Sequence, residues 1–169
     1  MHNGSIAQFH DVKRELALAV DASLFAAIEG STDSEVFFFL ALTFGLMDDP
    51  PAAVARAVGL IEDVGRRQGI EHPMQMTVAT TDGTRVWVFR YSSEGSSRSL
   101  FFSSKVSAVR ELYPDLEALK DLDDEARLIV SEPLRDLPGV WNEVPESSYG
   151  IVQPGEDELH AFVPAPSQS

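Results

Sequence analysis

Cysteine is the first thing that this sequence lacks, since none occurs among its 169 residues. The absence excludes a disulfide framework, a thiolate metal site and a cysteine nucleophile within these residues. Basic residues are also few, with 13 Lys and Arg against 27 Asp and Glu and a net charge of −14. A surface of this sign repels nucleic acids and anionic membranes, because neither counterion release nor polybasic attraction is available. We therefore expect neither a nucleic acid nor a membrane as a partner.

Long hydrophobic runs are missing as well, and no window approaches the 18 apolar residues that predict a transmembrane helix. Residues 1–8 contain neither the basic segment nor the apolar segment of a signal peptide. These features predict a soluble, cytoplasmic protein. The four histidines show no metal-ligand spacing and no HExxH motif occurs, so we expect neither a metal nor another cofactor.

Helical signals fill the first 70 residues of a chain whose length fits about one domain. Thr32 and Glu35 have the spacing of a capping box, which predicts a helix start. Pro50 and Pro51 suit the first turn of another helix, where a missing N–H costs nothing, and Gly69 suits the position just after its end. The predicted helices cover residues 9–20, 32–46 and 50–68.

Strand signals follow the helices. Residues 75–81 and 84–92 are rich in β-formers and are joined through Asp82-Gly83, a strong hairpin signal. The alternation around Trp87 and Val88 predicts a strand that is apolar on both faces, in one of two facing sheets with helices outside. Further strands are predicted over residues 100–103, 127–131, 149–153 and 158–163, with a short helix over 104–112. Helices followed by antiparallel strands predict an α+β fold, and no strand is predicted before the first helix.

Three short segments carry the clearest motifs of the chain. They are residues 1–4 (MHNG), residues 30–36 (GSTDSEV) and residues 126–134 (ARLIVSEPL), and the last is followed by Trp141 and by residues 144–145 (VP). Together they resemble the class II glutamine amidotransferases, which are N-terminal-nucleophile hydrolases. The first segment resembles the HNG element of that family, and the second resembles its G-x-TDSE element. The segments occur in the order found in the family and span essentially the whole chain.

This resemblance implies a four-layer αββα sandwich and hydrolysis of the side-chain amide of glutamine. The family's nucleophile is an N-terminal cysteine whose own α-amine serves as the base. By resemblance, the catalytic residues here are Asn3 and Gly4, whose side-chain amide and backbone N–H form the oxyanion hole, and Asp33 binds the α-ammonium group of the substrate. The residues alone leave other interpretations open, because Asn-Gly is a common turn and an aspartate in a first helical turn is often only a cap.

The chain departs from the family pattern at the nucleophile. The segment that carries the cysteine, and the arginine that binds the glutamine carboxylate, has no counterpart in these residues. We therefore interpret residues 1–163 as the C-terminal two-thirds of a type-2 amidotransferase domain, truncated at its N-terminus, and residues 164–169 as a disordered tail. The chain alone is then expected to be inactive. The alternatives are a non-catalytic module that binds glutamine or a γ-glutamyl compound, and a gene remnant.

A domain without its N-terminal strands should expose a sheet edge. Unpaired backbone groups on such an edge can be covered by a second copy of the chain or by a separately encoded N-terminal segment. We therefore expect a homodimer, a complex with such a segment, or marginal stability of the monomer. No synthase sequence is attached, so the sequence does not identify an acceptor for the ammonia.

Overall fold

A computed structural model describes residues 1–133 and 139–166 of the chain. Over these ranges the chain forms a mixed α/β fold in which every strand pairing is antiparallel. Leu134 of the third sequence motif and residues 167–169 of the predicted tail lie outside the described residues. The helices are α1 (Phe9–Leu18), α2 (Ala22–Phe25), α3 (Asp33–Thr43), α4 (Pro50–Arg67) and α5 (Val106–Leu112).

Two sheets form within the described ranges. The larger has the strand order β1-β2-β3-β7-β8, and the smaller has the order β5-β4-β6. The strands are β1 (His2–Ile6), β2 (Met74–Thr81), β3 (Val86–Ser92), β4 (Phe101–Ser103), β5 (Ile129–Val130), β6 (Trp141–Glu143), β7 (Ser148–Val152) and β8 (Glu158–Ala161). The helices α1, α3 and α4 thus precede all strands except β1.

The start of α3 follows the predicted capping pattern in part. The Thr32 hydroxyl accepts a hydrogen bond from the Glu35 amide at 3.3 Å, as an N-cap should. The Glu35 carboxylate does not return to the Thr32 amide but accepts from the amides of Glu29 and Gly30, at 2.9 Å each. It therefore fixes the loop that leads into the helix. The helix ends at Thr43, three residues earlier than predicted.

The β2–β3 hairpin confirms the prediction of a strand that is apolar on both faces. Phe89 of β3 packs in the large core formed with the helices, together with Met76 of β2. Val88, on the other face of β3, packs in a second cluster with Phe102 of β4 and Val152 of β7. One face of the larger sheet thus lies against the helices and the other against the smaller sheet.

The N-terminal strand β1 corrects the expectation that no strand precedes the first helix. Its five residues pair with β2, with Asn3 opposite Thr77 and Gly4 opposite Met76. The sequence concealed it because Asn-Gly is typical of turns and only Ile6 of this segment is a buried apolar residue. A short edge strand of this kind depends on pairing with its neighbour rather than on its own propensity.

The C-terminal residues lie against α4. The Ala165 amide donates to the carbonyl of Ala55 at 2.9 Å. A Cβ built on Gly59 would lie 1.6 Å from the Ala165 carbonyl oxygen, so only glycine permits this approach. These contacts involve Ala165, within the tail predicted over residues 164–169, of which residues 167–169 lie outside the described ranges.

Candidate functional site

The backbone groups of β1 alternate between its partner strand and the open edge of the sheet. Met1 and Ala79 exchange two hydrogen bonds, at 2.7 and 2.9 Å, and the Ala7 amide donates to Pro73. In an antiparallel ladder every second residue bonds to the partner strand, so the odd-numbered residues here face β2 and the even-numbered ones direct their N–H and C=O groups away from it. The Gly4 amide therefore points to the open edge of the larger sheet.

Asp33 reaches the same edge from the first residue of α3. Its Oδ2 accepts a hydrogen bond from the Ile6 amide at 3.0 Å, and its Oδ1 accepts from the Ser34 amide at 2.7 Å. The amides of Gly4 and Ile6 are two residues apart, or roughly 7 Å along a strand. The structure thus brings two of the three predicted site residues, Gly4 and Asp33, to one edge. The carboxylate also has the capping role that the sequence left open.

The third predicted residue, Asn3, faces the other side of the sheet. Successive side chains of a strand point to opposite faces, and the His2 ring contacts Phe37 of α3 on the helix side, at 5.5 Å between ring centroids. The Asn3 side chain lines a pocket of about 270 Å³ on the opposite side. The other lining residues are Arg98, Ser99, Ser131 and Glu132. Asp33 does not line this pocket.

Sequence reasoning assigned no role to the residues around Asn3. Ser131 and Glu132 belong to residues 126–134, the third segment of the family resemblance. That segment was the signal in the sequence that could have pointed to them. Arg98 lies in the loop between β3 and β4, where no sequence pattern marks it. Its guanidinium Nη1 lies 3.5 Å from Asn3 Oδ1 and donates to it.

A second cavity, of about 410 Å³, lies on the helix side of β1. It is bordered by His2, by Phe37 and Phe38 of α3, and by Val78 of β2. The His2 Nδ1 lies 2.7 Å from the Ser34 hydroxyl, while its Nε2 is buried and has no hydrogen-bond partner in the part of the chain that the structure describes. This environment therefore disfavours the protonated, positively charged form of the His2 imidazole.

Protonation of His2 should reduce stability. Burial lowers the pKa of His2 below its usual 6.5, and the Asp33 charge opposes this only in part. As the pH falls below about 6.5, His2 binds a proton in the unfolded chain but stays neutral in the folded chain, so the unfolding free energy decreases. We expect denaturation midpoints to fall from pH 7.5 to pH 5.5, and to fall less in His2→Gln. The control is His10→Gln, because the His10 side chain is 84% exposed. Equal pH dependence in all three proteins would contradict the prediction.

Gly4 is required by the packing of β1 on β2. A Cβ built at this position would lie 2.1 Å from the Gln75 carbonyl oxygen and 2.8 Å from Met76 Cα, both of them backbone atoms. We expect Gly4→Ala to cost about 1–3 kcal/mol of unfolding free energy, the usual range for overpacking. Chemical denaturation measures it, with Ser5→Ala on the same strand as the exposed control. A Gly4→Ala protein as stable as that control would contradict this expectation.

The described residues contain no group of three His, Asp or Glu side chains placed to hold a metal ion. None of the helices in residues 1–133 and 139–166 is long and apolar enough to cross a bilayer.

Comparisons with known proteins find similarity to glutamine amidotransferases. No family model matches the chain. A search of curated proteins finds the probable glutamine amidotransferase DUG3 of Saccharomyces cerevisiae, 31% identical, with 96% of this chain and 52% of that protein covered. The chain thus spans about half the length of this curated relative. Among solved structures, a glutamine aminotransferase class-II domain protein from Silicibacter pomeroyi matches with a TM-score of 0.81 and 30% identity, over 98% of this chain and 67% of that one.

Proposed function

Because the chain belongs to the class II glutamine amidotransferase family, we propose that it supplies the oxyanion-binding and ammonium-binding part of an enzyme that hydrolyses the side-chain amide of glutamine. The observation that carries this proposal is the edge of β1. There an outward-pointing Gly4 amide lies two residues from the Ile6 amide that Asp33 binds, and Asn3 precedes Gly4 with its side chain in the pocket on the opposite face.

Each residue has a role that fits its position. The amides of Gly4 and of the Asn3 side chain donate to the oxygen that becomes negative when the substrate amide is attacked, and this lowers the barrier. The Asp33 carboxylate binds the α-ammonium group of glutamine. Its Oδ1 already accepts from the amide and the hydroxyl of Ser34, whereas its Oδ2 accepts only from the Ile6 amide and keeps a second lone pair for the substrate.

The nucleophile has to come from polypeptide outside these 169 residues, because they contain no cysteine. In the proposed enzyme, a cysteine thiol in such a segment attacks the amide carbon, and its own α-amine takes the thiol proton. The amine passes this proton to the leaving nitrogen, the C–N bond breaks and ammonia leaves, and water then hydrolyses the thioester to glutamate. The open edge of β1 offers unpaired backbone groups next to Gly4, so we place that segment there, in the same polypeptide or in a separate one. Without it, a second copy of the chain can cover the edge as a homodimer.

The layers suit the same proposal. The helices α1, α3 and α4 lie on one face of the larger sheet, the smaller sheet lies on the other, and Val109 of α5 packs with Val140 and Trp141 beyond it. We propose that this order is the αββα sandwich of the N-terminal-nucleophile hydrolases. In that case residues 1–163 form the C-terminal two-thirds of the amidotransferase domain.

A second function follows from the missing thiol. A chain that keeps the glutamine contacts without a nucleophile can act as a non-catalytic module that binds glutamine or a γ-glutamyl compound. It then binds the ligand and leaves the amide intact. A chain that does neither is a gene remnant.

Calorimetric titration of the chain with L-glutamine tests the proposal. We expect measurable binding that is weakened in Asp33→Asn and in Asn3→Ala. The sequence has two asparagines, so Asn142→Ala, on the exposed part of β6, is a matched control that should bind like the wild type. L-Glutamine that does not bind, or binding that both site variants leave unchanged, would count against the proposal.

A further inference from the structure

The pocket beside Asn3 contains an arginine with no role in the reaction as described so far. We infer that Arg98 is a positioning residue for the Asn3 side chain, which it turns so that the amide donates into the pocket. This inference rests on the proposed oxyanion role of Asn3.

The orientation follows from the chemistry of the two groups. A guanidinium can only donate hydrogen bonds, whereas a side-chain amide accepts through its oxygen and donates through its nitrogen. Since Arg98 Nη1 lies 3.5 Å from Asn3 Oδ1, the oxygen is turned toward the arginine. The Asn3 nitrogen then faces away from Arg98, and no residue in the described ranges accepts a hydrogen bond from it.

The loop around Arg98 is fixed on both sides of the residue. The Ser97 amide and hydroxyl both donate to Glu146 Oε2, at 2.8 and 2.5 Å. The Ser99 hydroxyl donates to the carbonyl of Ser131 at 2.8 Å. The Arg98 backbone is therefore held between two tethered serines, and its side chain starts from a defined position beside the pocket.

The charge of Arg98 is also available to the site. In the described part of the chain, no carboxylate forms an ion pair with it, although Asp and Glu outnumber Lys and Arg by 27 to 13. A cation that donates to the amide oxygen polarises the amide and strengthens its N–H groups as donors. An Asn3 amide turned the other way would present its oxygen to the developing oxyanion and repel it. Arg98 thus decides the sign of the interaction.

Selective labelling of the asparagine side-chain nitrogens with ¹⁵N tests this inference. The chain has two asparagines, so the spectrum should contain two side-chain amide pairs, with Asn142 as the internal reference. We expect Arg98→Met, which removes every donor, to shift the Asn3 pair and to lower its heteronuclear NOE. The Asn142 pair should stay in place. Arg98 is exposed, so this variant should fold.

Two further variants separate positioning from a general effect of substitution. Arg98→Lys keeps a group that can only donate, so we expect it to restore the Asn3 signals at least in part. Arg85→Met, on the β2–β3 hairpin, removes an arginine that binds Asp82 and should leave the Asn3 signals unchanged. Wild-type Asn3 signals in Arg98→Met, or an equal displacement in Arg98→Met and Arg98→Lys, would overturn the inference.

Glutamine added to the same samples reports on the proposed function by itself. A wild-type Asn3 pair that does not respond to glutamine argues against the glutamine site, whatever Arg98 does. An Asn3 pair that responds to glutamine equally in the wild type and in Arg98→Met leaves the glutamine site in place and removes Arg98 from it.

Discussion

The purified 169-residue chain is expected to release ammonia from glutamine roughly six orders of magnitude more slowly than an enzyme with its nucleophile in place. The expectation follows from the absence of cysteine. Serine offers no replacement, because no G-x-S-x-G elbow is present to activate Ser5, Ser31 or Ser34. Oxyanion donors alone stabilise a charge that nothing in these residues can generate.

A glutaminase assay that detects ammonia checks this prediction, with a cysteine-bearing class II amidotransferase as the positive control. The Asn3→Ala variant, purified in the same way, controls for contaminating glutaminase. Turnover that survives repurification and disappears in Asn3→Ala would show that the chain has a nucleophile of its own.

Replacement of Glu62 by alanine is expected to give the largest loss of stability, about 3 kcal/mol. Glu62 of α4 is only 4% exposed. Its Oε1 accepts hydrogen bonds from the hydroxyl of Tyr91 in β3 and from that of Ser93, which directly follows β3. Its Oε2 accepts from Arg66 at 2.5 Å. Two hydroxyls lose their acceptor in Glu62→Ala, and each unsatisfied buried group costs about 1–3 kcal/mol. The carboxylate also raises the pKa of Tyr91, after the larger effect of burial.

Thermal unfolding measures this loss, which should lower the midpoint by about 6–12 °C for a domain of this size. Arg66→Met is the matched control. It removes the ion pair with Glu62 but leaves both hydroxyls hydrogen-bonded to the carboxylate, and the Arg66 side chain is 55% exposed, so the loss should be smaller than in Glu62→Ala. If Glu62→Ala and Arg66→Met unfold at the same midpoint temperature, the Tyr91 and Ser93 hydroxyls must find other acceptors, and the prediction is wrong.

The elements that the sequence predicted best have their determinants close together in the chain. Thr32 and Glu35 are three residues apart, and the half of their predicted capping box in which the Thr32 hydroxyl accepts from the Glu35 amide is present. The Asp82-Gly83 turn lies where predicted, with Gly83 at a φ of 93° and the Asp82 carboxylate accepting from the Thr84 and Arg85 amides. The family resemblance, which rested on three short motifs, is confirmed by the comparisons.

The surroundings of the site residues could not be predicted in this way. Asn3 and Arg98 are 95 residues apart, and their contact depends on the register of β1 on β2 and on a loop held by Glu146. The link between Asp33 and Ile6 depends on how α3 packs against the edge of the sheet. None of these contacts leaves a periodic or local signal in the sequence.

By itself, then, the sequence determined the family, the helices and the main hairpin, because periodicity, capping and turn chemistry act within a few residues. It also determined that no thiol is available in these residues. Only the tertiary structure decided that residues 2–6 form a strand and that the Gly4 amide points to an open edge. The contact between the Arg98 guanidinium and the Asn3 side chain was likewise visible only in the tertiary structure. The physical reason is that a pairing register and the contacts across it are set by packing between segments far apart in the chain.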